Sequence, residues 1–308
     1  MLTAACSSGN KADGQPMTDS LLVDSLKADS IAHVKKKAVR SDSAFIIATL
    51  PTIDALPLFI AQEQGLFEQA GLDVKLRAYE AQMDVDTAFI TGWIDAMTTD
   101  IVRAERLSMD GEPIGYIAPT PLAWKLMATD RSKLTNIKQL TDKTVAMTRF
   151  SATHYLTDLI ADSAKIAEEH LFRIQVNNLN VRMDMMRNAI VDALLMPEPQ
   201  ATMAANEGHR LLFDSRTAKV QLGVLARNSK AKIDTTKLYS VYNAACDSIN
   251  AHGLSHYRST IAKWCRVKPE TVDSIKEKIA FPHTGQPRRE DTEKVRRWLE
   301  QNQHRYDQ

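Results

Sequence analysis

Strand-like and helix-like segments alternate along most of this chain, and that alternation limits the fold more than any other feature of the sequence. The apolar segment 44–50 and the alternating segment 72–79 have the composition of β-strands, and a helix is expected to start at Pro57 between them. We expect further strands at 94–98, 113–118, 124–129, 144–147, 173–176, 193–196, 210–213 and 224–226. Because strands that are joined through helices pair in parallel, the pattern predicts an α/β fold with mainly parallel sheets.

Two stretches of the chain repeat the same order of elements. Residues 87–97 and residues 186–194 each predict a helix, a short turn, an Asp-Ala pair and a buried strand. The two aspartates, Asp95 and Asp192, are expected to hold these turns. The repeat predicts two similar α/β lobes rather than one large sheet. After residue 226 the apolar spacing becomes helical, and we expect helices at 239–250, 257–265, 269–279 and 291–302.

Charge and composition exclude several classes of protein. The 39 Lys and Arg residues balance 38 Asp and Glu residues, and aromatic residues make up 6% of the chain. A nucleic-acid-binding protein usually has a basic excess and a set of stacking aromatic residues, so we expect no nucleic-acid partner. No segment has the roughly 18 consecutive apolar residues of a transmembrane helix. Motifs for phosphate, dinucleotide or zinc binding are also missing, so we expect no cofactor and no metal.

The first residues resemble the end of a bacterial lipoprotein signal. Cys6 follows two alanines and precedes Ser-Ser-Gly, and small residues before a cysteine suit the lipoprotein signal peptidase. We therefore expect residues 1–6 to be a residual signal and Cys6 to be the lipidated residue, although five residues are fewer than a complete signal has. Residues 7–43 contain seven serines, five aspartates and no aromatic residue. This composition predicts a polar tether behind a membrane anchor.

Four short motifs follow one another along residues 44–302. Residues 57–67 read PLFIAQEQGLF and are followed by AGLDV, residues 92–96 read GWIDA, residues 134–145 read LTNIKQLTDKTV, and residues 191–201 contain DA and EPQA. In this order they resemble the periplasmic solute-binding proteins of ABC importers, in the branch for nitrate, sulfonates, taurine and thiamine-pyrimidine precursors. The resemblance implies a two-lobed type II periplasmic-binding-protein fold, with a ligand cleft between the lobes. It also implies a first lobe of residues 44–120 and 222–308 and a second lobe of residues 121–221.

Polar and aromatic side chains follow the predicted strands of both lobes. In open parallel sheets, ligands bind beyond the carboxyl ends of the strands. In the first lobe, the candidate ligand-binding residues are Thr52, Asp54, Tyr79, Glu80, Thr98 and Thr99. In the second lobe, they are Trp124, Arg149, Phe150, Ser151, Ala152, Thr153 and Glu198. Their positions predict a site in the cleft.

The segment 149–154 favours an anionic ligand. Ser151 is expected to cap a helix whose first free N–H groups include those of Ala152 and Thr153, and such a helix end binds sulfonate, phosphate or carboxylate. Arg149 would add a planar set of donors. His154 is expected to belong to the capping turn rather than to contact a ligand.

The carboxylates favour a ligand of another kind. Asp54, Glu80, Asp100 and Glu198 fall near strand ends, and several carboxylates in one cleft would suit amino donors, as in an aminopyrimidine or a zwitterion. Aromatic residues at the same strand ends, Tyr79, Phe150 and Trp124, could stack on a flat ring. The sequence leaves both ligand classes open.

Together these features predict a receptor without enzymatic activity. We expect a monomeric, lipid-anchored substrate-binding component of an ABC-type importer on the periplasmic face of a bacterial membrane. A small polar solute would enter the cleft, the lobes would close about crossovers near 119–124 and 219–224, and the closed form would dock on an ABC permease. Two alternatives remain open. One is an enzyme on the same fold that uses cleft carboxylates for lyase or pathway chemistry, and the other is a receptor that feeds a sensor.

Overall fold

A computed structural model of the protein describes residues 43–306. The expected signal remnant with Cys6, and all but the last residue of the expected tether, lie outside the described residues, so the predictions for them stay predictions. Between residues 43 and 306, no helix has both the length and the apolar composition needed to cross a lipid bilayer.

The first sheet takes its strands from both ends of the described chain. Its strands are β1 (Phe45–Thr49), β2 (Val74–Ala78), β3 (Ala96–Asp100), β4 (Ile114–Pro119) and β10 (Gly223–Asn228), in the order β2-β1-β3-β10-β4. β1 pairs in parallel with β2 and β3, whereas β10 runs antiparallel between β3 and β4. Every residue of β1 and of β3 is buried, as expected for strands with helices on both faces of the sheet.

The second sheet repeats this arrangement with the strands between the two crossovers. Its strands are β5 (Trp124–Ala128), β6 (Lys143–Met147), β7 (Leu171–Gln175), β8 (Ala193–Pro197) and β9 (Arg210–Asp214), in the order β7-β6-β8-β5-β9. Here β5 is the antiparallel strand, and residues 120–123 and 215–222 connect the two sheets. The predicted α/β fold with two mainly parallel sheets is confirmed.

Helices cover both sheets. In the first lobe they are α1 (Leu56–Glu63), α2 (Leu66–Gln69), α3 (Gln82–Ile90) and α4 (Ile101–Met109), and in the second lobe α5 (Ala152–Ala164), α6 (Leu179–Arg187) and α7 (Gln200–Asn206). After β10 come α8 (Thr235–His252), α9 (Arg258–Cys265), α10 (Pro269–Asp273) and α11 (Arg289–Tyr306). Apolar side chains of α4 and α11 join the core of the second lobe, although α4 follows a strand of the first sheet.

The repeated aspartates hold the turns as predicted. The Asp95 carboxylate accepts a hydrogen bond from the backbone N–H of Ile46 at 2.8 Å. In the second lobe, the Asp192 carboxylate accepts from the backbone N–H and the hydroxyl of Thr144, both at 2.9 Å. Each aspartate therefore ties the turn before one strand to the start of the neighbouring strand.

Two predicted helix boundaries are wrong. The helix expected at the start of the 186–194 repeat begins earlier, at Leu179, because the Asn178 side chain caps it by accepting from Asn180 N–H and Val181 N–H. The helix expected at 269–279 ends at Asp273. The residues after it take a non-helical path that brings the Glu277 carboxylate to Lys125 and Arg216 of the second lobe. Local apolar spacing carries no information about such a distant partner.

Candidate ligand site between the lobes

The carboxyl ends of the parallel strands meet between the lobes, where the two lobes are in contact. The backbone N–H of Ile53 donates to the Glu198 carbonyl at 3.0 Å, and the Gln200 side chain donates to the Pro51 carbonyl at 2.6 Å. Beyond the ends of β2 and β7, Ala81 and Asn178 form an isolated antiparallel bridge. The cleft is therefore closed along these strand ends.

A small cavity of about 20 Å³, here called the inner chamber, remains within the closed cleft. Its lining includes Glu80 and Asp100 of the first lobe, and Trp124, Ser151, Thr153 and Arg182 of the second lobe. A cavity of this size has room for about one water molecule. Four of the predicted site residues thus lie around one chamber that is too small for a solute in this conformation.

The start of α5 forms one wall of the inner chamber. The Ser151 hydroxyl accepts from the backbone N–H of Thr153 at 3.1 Å and donates to the Thr148 carbonyl at 2.7 Å. The Asp100 carboxylate accepts from the backbone N–H of Arg103 at 3.0 Å, and the nearby backbone N–H of Ala152 also acts to lower the pKa of this carboxylate. Burial raises the pKa of Asp100 to about 6, against the lowering effect of Arg103 and of these N–H groups.

Arg182 is a cleft residue that sequence reasoning missed. Its side chain is 1% exposed, and its guanidinium donates to the carbonyls of Val176 and Leu195 and to the Thr148 hydroxyl, at 2.9, 2.7 and 2.7 Å. None of the ion pairs found among the described residues includes Arg182, and burial lowers the pKa of its guanidinium. The signal that could have found it is Asn178, since a helix capped there places Arg182 in its first turns.

A larger cavity of about 540 Å³, here called the hinge-side cavity, lies against both crossovers. Its lining includes Asp54 from the first lobe, Lys125 and Glu198 from the second lobe, residues 120–123 and 219–221 of the crossovers, and residues 278–280. Small-molecule sites in proteins commonly have volumes of about 300–1,000 Å³. The hinge-side cavity therefore has the size of a solute site and contacts both lobes.

Asp54 is the buried acceptor of the hinge-side cavity. Its side chain is 4% exposed, and its carboxylate accepts from the hydroxyls of Thr120, at 3.2 Å, and of Thr52. The second carboxylate oxygen, Oδ1, has no hydrogen-bond partner. Burial raises the pKa of Asp54, and the two hydroxyls offset only part of this effect. A buried oxygen without a partner is an acceptor that a ligand donor would satisfy.

Glu198 lines the hinge-side cavity from the second lobe, and both of its carboxylate oxygens have partners. Its Oε1 pairs with the Lys125 ammonium, and its Oε2 accepts from the backbone N–H of Thr202 at 3.1 Å. Lys125 also pairs with Glu277, and these two carboxylates raise its pKa although burial acts to lower it. The cavity thus has an ordered ion-pair network on the side of the second lobe.

The other predicted residues have partners of their own. The Thr98 hydroxyl accepts from Leu50 N–H at 3.4 Å, and the Thr99 hydroxyl accepts from the Gln82 amide at 3.0 Å. Tyr79 packs beside the apolar cluster of α3, and Glu80 pairs with Arg266 at the cleft edge. The residues that line the two cavities do not include seven of the predicted site residues, namely Thr52, Tyr79, Thr98, Thr99, Arg149, Phe150 and Ala152.

The side chains of the segment 149–154 have different surroundings. Arg149 is exposed, whereas Phe150 lies under the Arg106 guanidinium and against the Trp298 ring. His154 is buried, and its Nδ1 accepts from the backbone N–H of Phe150 at 3.2 Å. The prediction that His154 belongs to the capping turn is confirmed.

Comparisons with known proteins agree with this architecture. The model of the family described as "NMT1/THI5 like" matches residues 52–228. No curated protein is significantly similar in sequence. The structure is similar to the periplasmic aliphatic sulphonate binding protein SsuA from Escherichia coli, with a TM-score of 0.71 and 14% identity over 85% of this chain and 88% of that chain.

Two further structures have the same fold. The periplasmic nitrate-binding protein NrtA from Synechocystis PCC 6803 has a TM-score of 0.67 and 16% identity, over 82% of this chain and 76% of that chain. The ligand-binding component of an ABC-type import system from Staphylococcus aureus has a TM-score of 0.66 and 14% identity, over 85% of this chain and 92% of that chain. Because the family model matches more than half of the chain, the protein belongs to the NMT1/THI5 like family.

Proposed function

We propose that the protein is the substrate-binding component of an ABC-type importer and that it captures a small polar solute by hinge closure. Membership of the family, and a fold shared with structures named as sulphonate-binding, nitrate-binding and ABC import components, support this function. The observation that carries the proposal is the hinge-side cavity, because both crossovers form part of its wall. A solute held there contacts both lobes and favours their closed arrangement.

The cavity lining offers partners for two kinds of solute group. Asp54 offers a buried oxygen without a partner, and Lys219 and Lys278 also line the cavity. An amino group would satisfy Asp54, and an acidic group would pair with a lysine. Both proposed ligand classes, a sulfonate- or nitrate-like anion and an aminopyrimidine or thiamine precursor, present at least one of these groups.

A thermal-shift screen of sulfonates, nitrate, aminopyrimidines and amino acids tests the proposal. One of these solutes is expected to raise the melting temperature, since a ligand at 100 times its Kd stabilises the folded state by about 2.7 kcal/mol. For a solute with an amino group, the Asp54→Asn variant should lose most of this shift. Asp130→Asn, at an exposed carboxylate of the second lobe, is the control that keeps it. If the Asp54 variant keeps the full shift of such an amino solute, the solute binds elsewhere.

Binding without turnover separates the receptor from the alternative enzyme. Incubation of the protein with the stabilising solute should return the solute unchanged, as followed by mass spectrometry. Conversion of the solute would favour an enzyme that uses the buried carboxylates of the cleft. We propose that the receptor acts as a monomer, and light scattering of the solute-bound protein tests this.

We also propose that Cys6 carries a lipid that anchors the protein at the periplasmic face of a bacterial membrane, where the closed form meets its permease. The Ala-Ala-Cys-Ser sequence and the polar composition of residues 7–43 support this location. Metabolic labelling with palmitate should mark the natural protein but not the Cys6→Ala variant. Equal labelling of the two proteins would rule out the anchor.

A further inference from the structure

Two buried donors of the second lobe lie next to each other in the lining of the inner chamber. Trp124 begins β5, is 7% exposed, and its ring nitrogen Nε1 has no hydrogen-bond partner among the described residues. The Arg182 guanidinium lies over the Trp124 ring, with its Cζ atom 6.0 Å from the ring centroid. Because a buried N–H group without an acceptor is costly, this wall of the chamber favours a ligand with an acceptor atom.

The charge of Arg182 favours an anionic acceptor. Its contacts with the Val176 and Leu195 carbonyls and with the Thr148 hydroxyl use three of the five N–H groups that a guanidinium carries. All three partners are neutral. Burial lowers the pKa of Arg182 to about 9, so the side chain keeps its positive charge at neutral pH. A buried cation with neutral partners is stabilised when a ligand brings a counterion to it.

The two carboxylates of the inner chamber come from the first lobe and have other partners. Glu80 pairs with Arg266 at the cleft edge, and Asp100 accepts from the backbone N–H of Arg103 at 3.0 Å. Neither carboxylate is in the ion pairs found between residues 43 and 306 together with Arg182. Their negative charges act against an anion, so an acidic group of a solute would be held from the second lobe.

We propose that the inner chamber is an anion subsite of the cleft, in which Trp124 and Arg182 donate to an oxygen of the solute's acidic group. The chamber has room for about one water molecule, which is also the space of one sulfonate, nitrate or carboxylate oxygen. The inference rests on the proposed function. It deepens that function by placing the acidic group at buried donors rather than at Lys219 and Lys278, which are exposed, and by favouring an oxyanion over a neutral aminopyrimidine.

The Trp124→Phe variant tests the subsite, because it keeps an aromatic ring and removes the N–H donor. The probes are methanesulfonate and its neutral isostere dimethyl sulfone, with affinities measured by calorimetry at constant ionic strength. The natural protein should bind methanesulfonate about tenfold more tightly than dimethyl sulfone, since hydrogen bonds to a charged group are the stronger ones. In Trp124→Phe the affinity for methanesulfonate should fall about tenfold. Trp93→Phe, at an exposed ring outside both cavities, is the control that should bind like the natural protein.

Two variants of Arg182 separate anion binding from support of the fold. Arg182→Lys keeps the charge and should keep the preference for methanesulfonate, whereas Arg182→Gln should bind the two probes about equally. A purely structural role would change both affinities by the same factor. If these variants do not fold, Trp124→Phe decides alone, and an unchanged affinity for methanesulfonate in it would overturn the proposal. So would a natural protein without preference for methanesulfonate, and a neutral solute found in the thermal-shift screen would then leave the receptor function standing.

Discussion

His154 shows how a single buried side chain ties the stability of this protein to pH. The ring is fully buried at the start of α5, where its Nδ1 accepts a backbone hydrogen bond and its edge meets the Trp298 ring. Burial lowers the pKa of His154 to about 4, although the nearby Asp158 acts to raise it. The folded protein therefore keeps this imidazole neutral under conditions in which the unfolded chain protonates it.

Acid should destabilise the folded state through His154. Between about pH 6.5 and pH 4 the unfolded chain binds more protons at this residue, so the free energy of unfolding falls as the pH falls. The His154→Gln variant lacks this contribution. From pH 7 to pH 4, the free energy of unfolding of the natural protein should fall on the order of 3 kcal/mol further than that of the variant. Urea denaturation at both pH values measures this difference. Parallel pH profiles would contradict the prediction.

Asp100 also titrates in this pH range, and its effect on the free energy of unfolding has the opposite sign. Its pKa is raised to about 6, so the folded protein binds more protons there between about pH 4 and pH 6. Its contribution to stability therefore decreases as the pH rises through this range. Asp100 is present in both proteins, so its contribution cancels when the natural protein is compared with His154→Gln.

Among the elements, α11 connects the two lobes. Arg296 of this helix pairs with Glu105 of α4, and the Trp298 ring nitrogen donates to Asp158 of α5 at 2.9 Å. Glu105 is 2% exposed, and the Tyr116 hydroxyl is its other partner. The apolar spacing of 291–302 predicted the helix, but not that it packs against both lobes.

Loss of the Arg296 side chain should leave a buried charge without its cation. The Arg296→Met variant is expected to lose about 2 kcal/mol of stability, which is less than for a fully buried pair because half of the Arg296 side chain is exposed. The adjacent Arg297 donates to the Glu293 carbonyl of its own helix, and Arg297→Met is the matched control. Thermal denaturation of both variants tests this, and equal losses would show that Glu105 does not need Arg296.

For the whole molecule, the first crossover packs against Gly223, the residue at which the second crossover enters β10. The backbone N–H of Thr120 donates to the Gly223 carbonyl at 2.9 Å, and a Cβ atom on Gly223 would overlap Leu122 and the Thr120 hydroxyl. Thr120 also donates to Asp54 in the hinge-side cavity. The packing of the crossovers is therefore linked to the arrangement of the proposed solute site.

A methyl group at Gly223 should force the crossovers apart. The Gly223→Ala variant is expected to lose about 2 kcal/mol of stability, and its lobes should spread, because the new methyl group would meet the Leu122 Cβ atom and both the hydroxyl and the backbone carbonyl of Thr120. Gly285→Ala, which meets no atom within 4 Å, is the control. Small-angle scattering of the ligand-free proteins tests the prediction, and an unchanged radius of gyration in Gly223→Ala would contradict it.

The sequence alone determined the features that depend on nearby residues. The alternation of strands and helices, the turns at Asp95 and Asp192, and the Ser151 cap all follow from local spacing and hydrogen bonding, and each appears in the structure. Such features need only a few neighbouring residues, so their physical causes are visible along the chain.

Only the tertiary structure decided which side chains meet across the cleft. Asp100 ends β3 and Ser151 follows β6, and both line the inner chamber because the two lobes bring two strand ends together. Glu277 likewise depends on Lys125, a partner far along the chain. Residues so far apart in the sequence are neighbours only after both sheets have formed, and local sequence patterns do not encode that proximity.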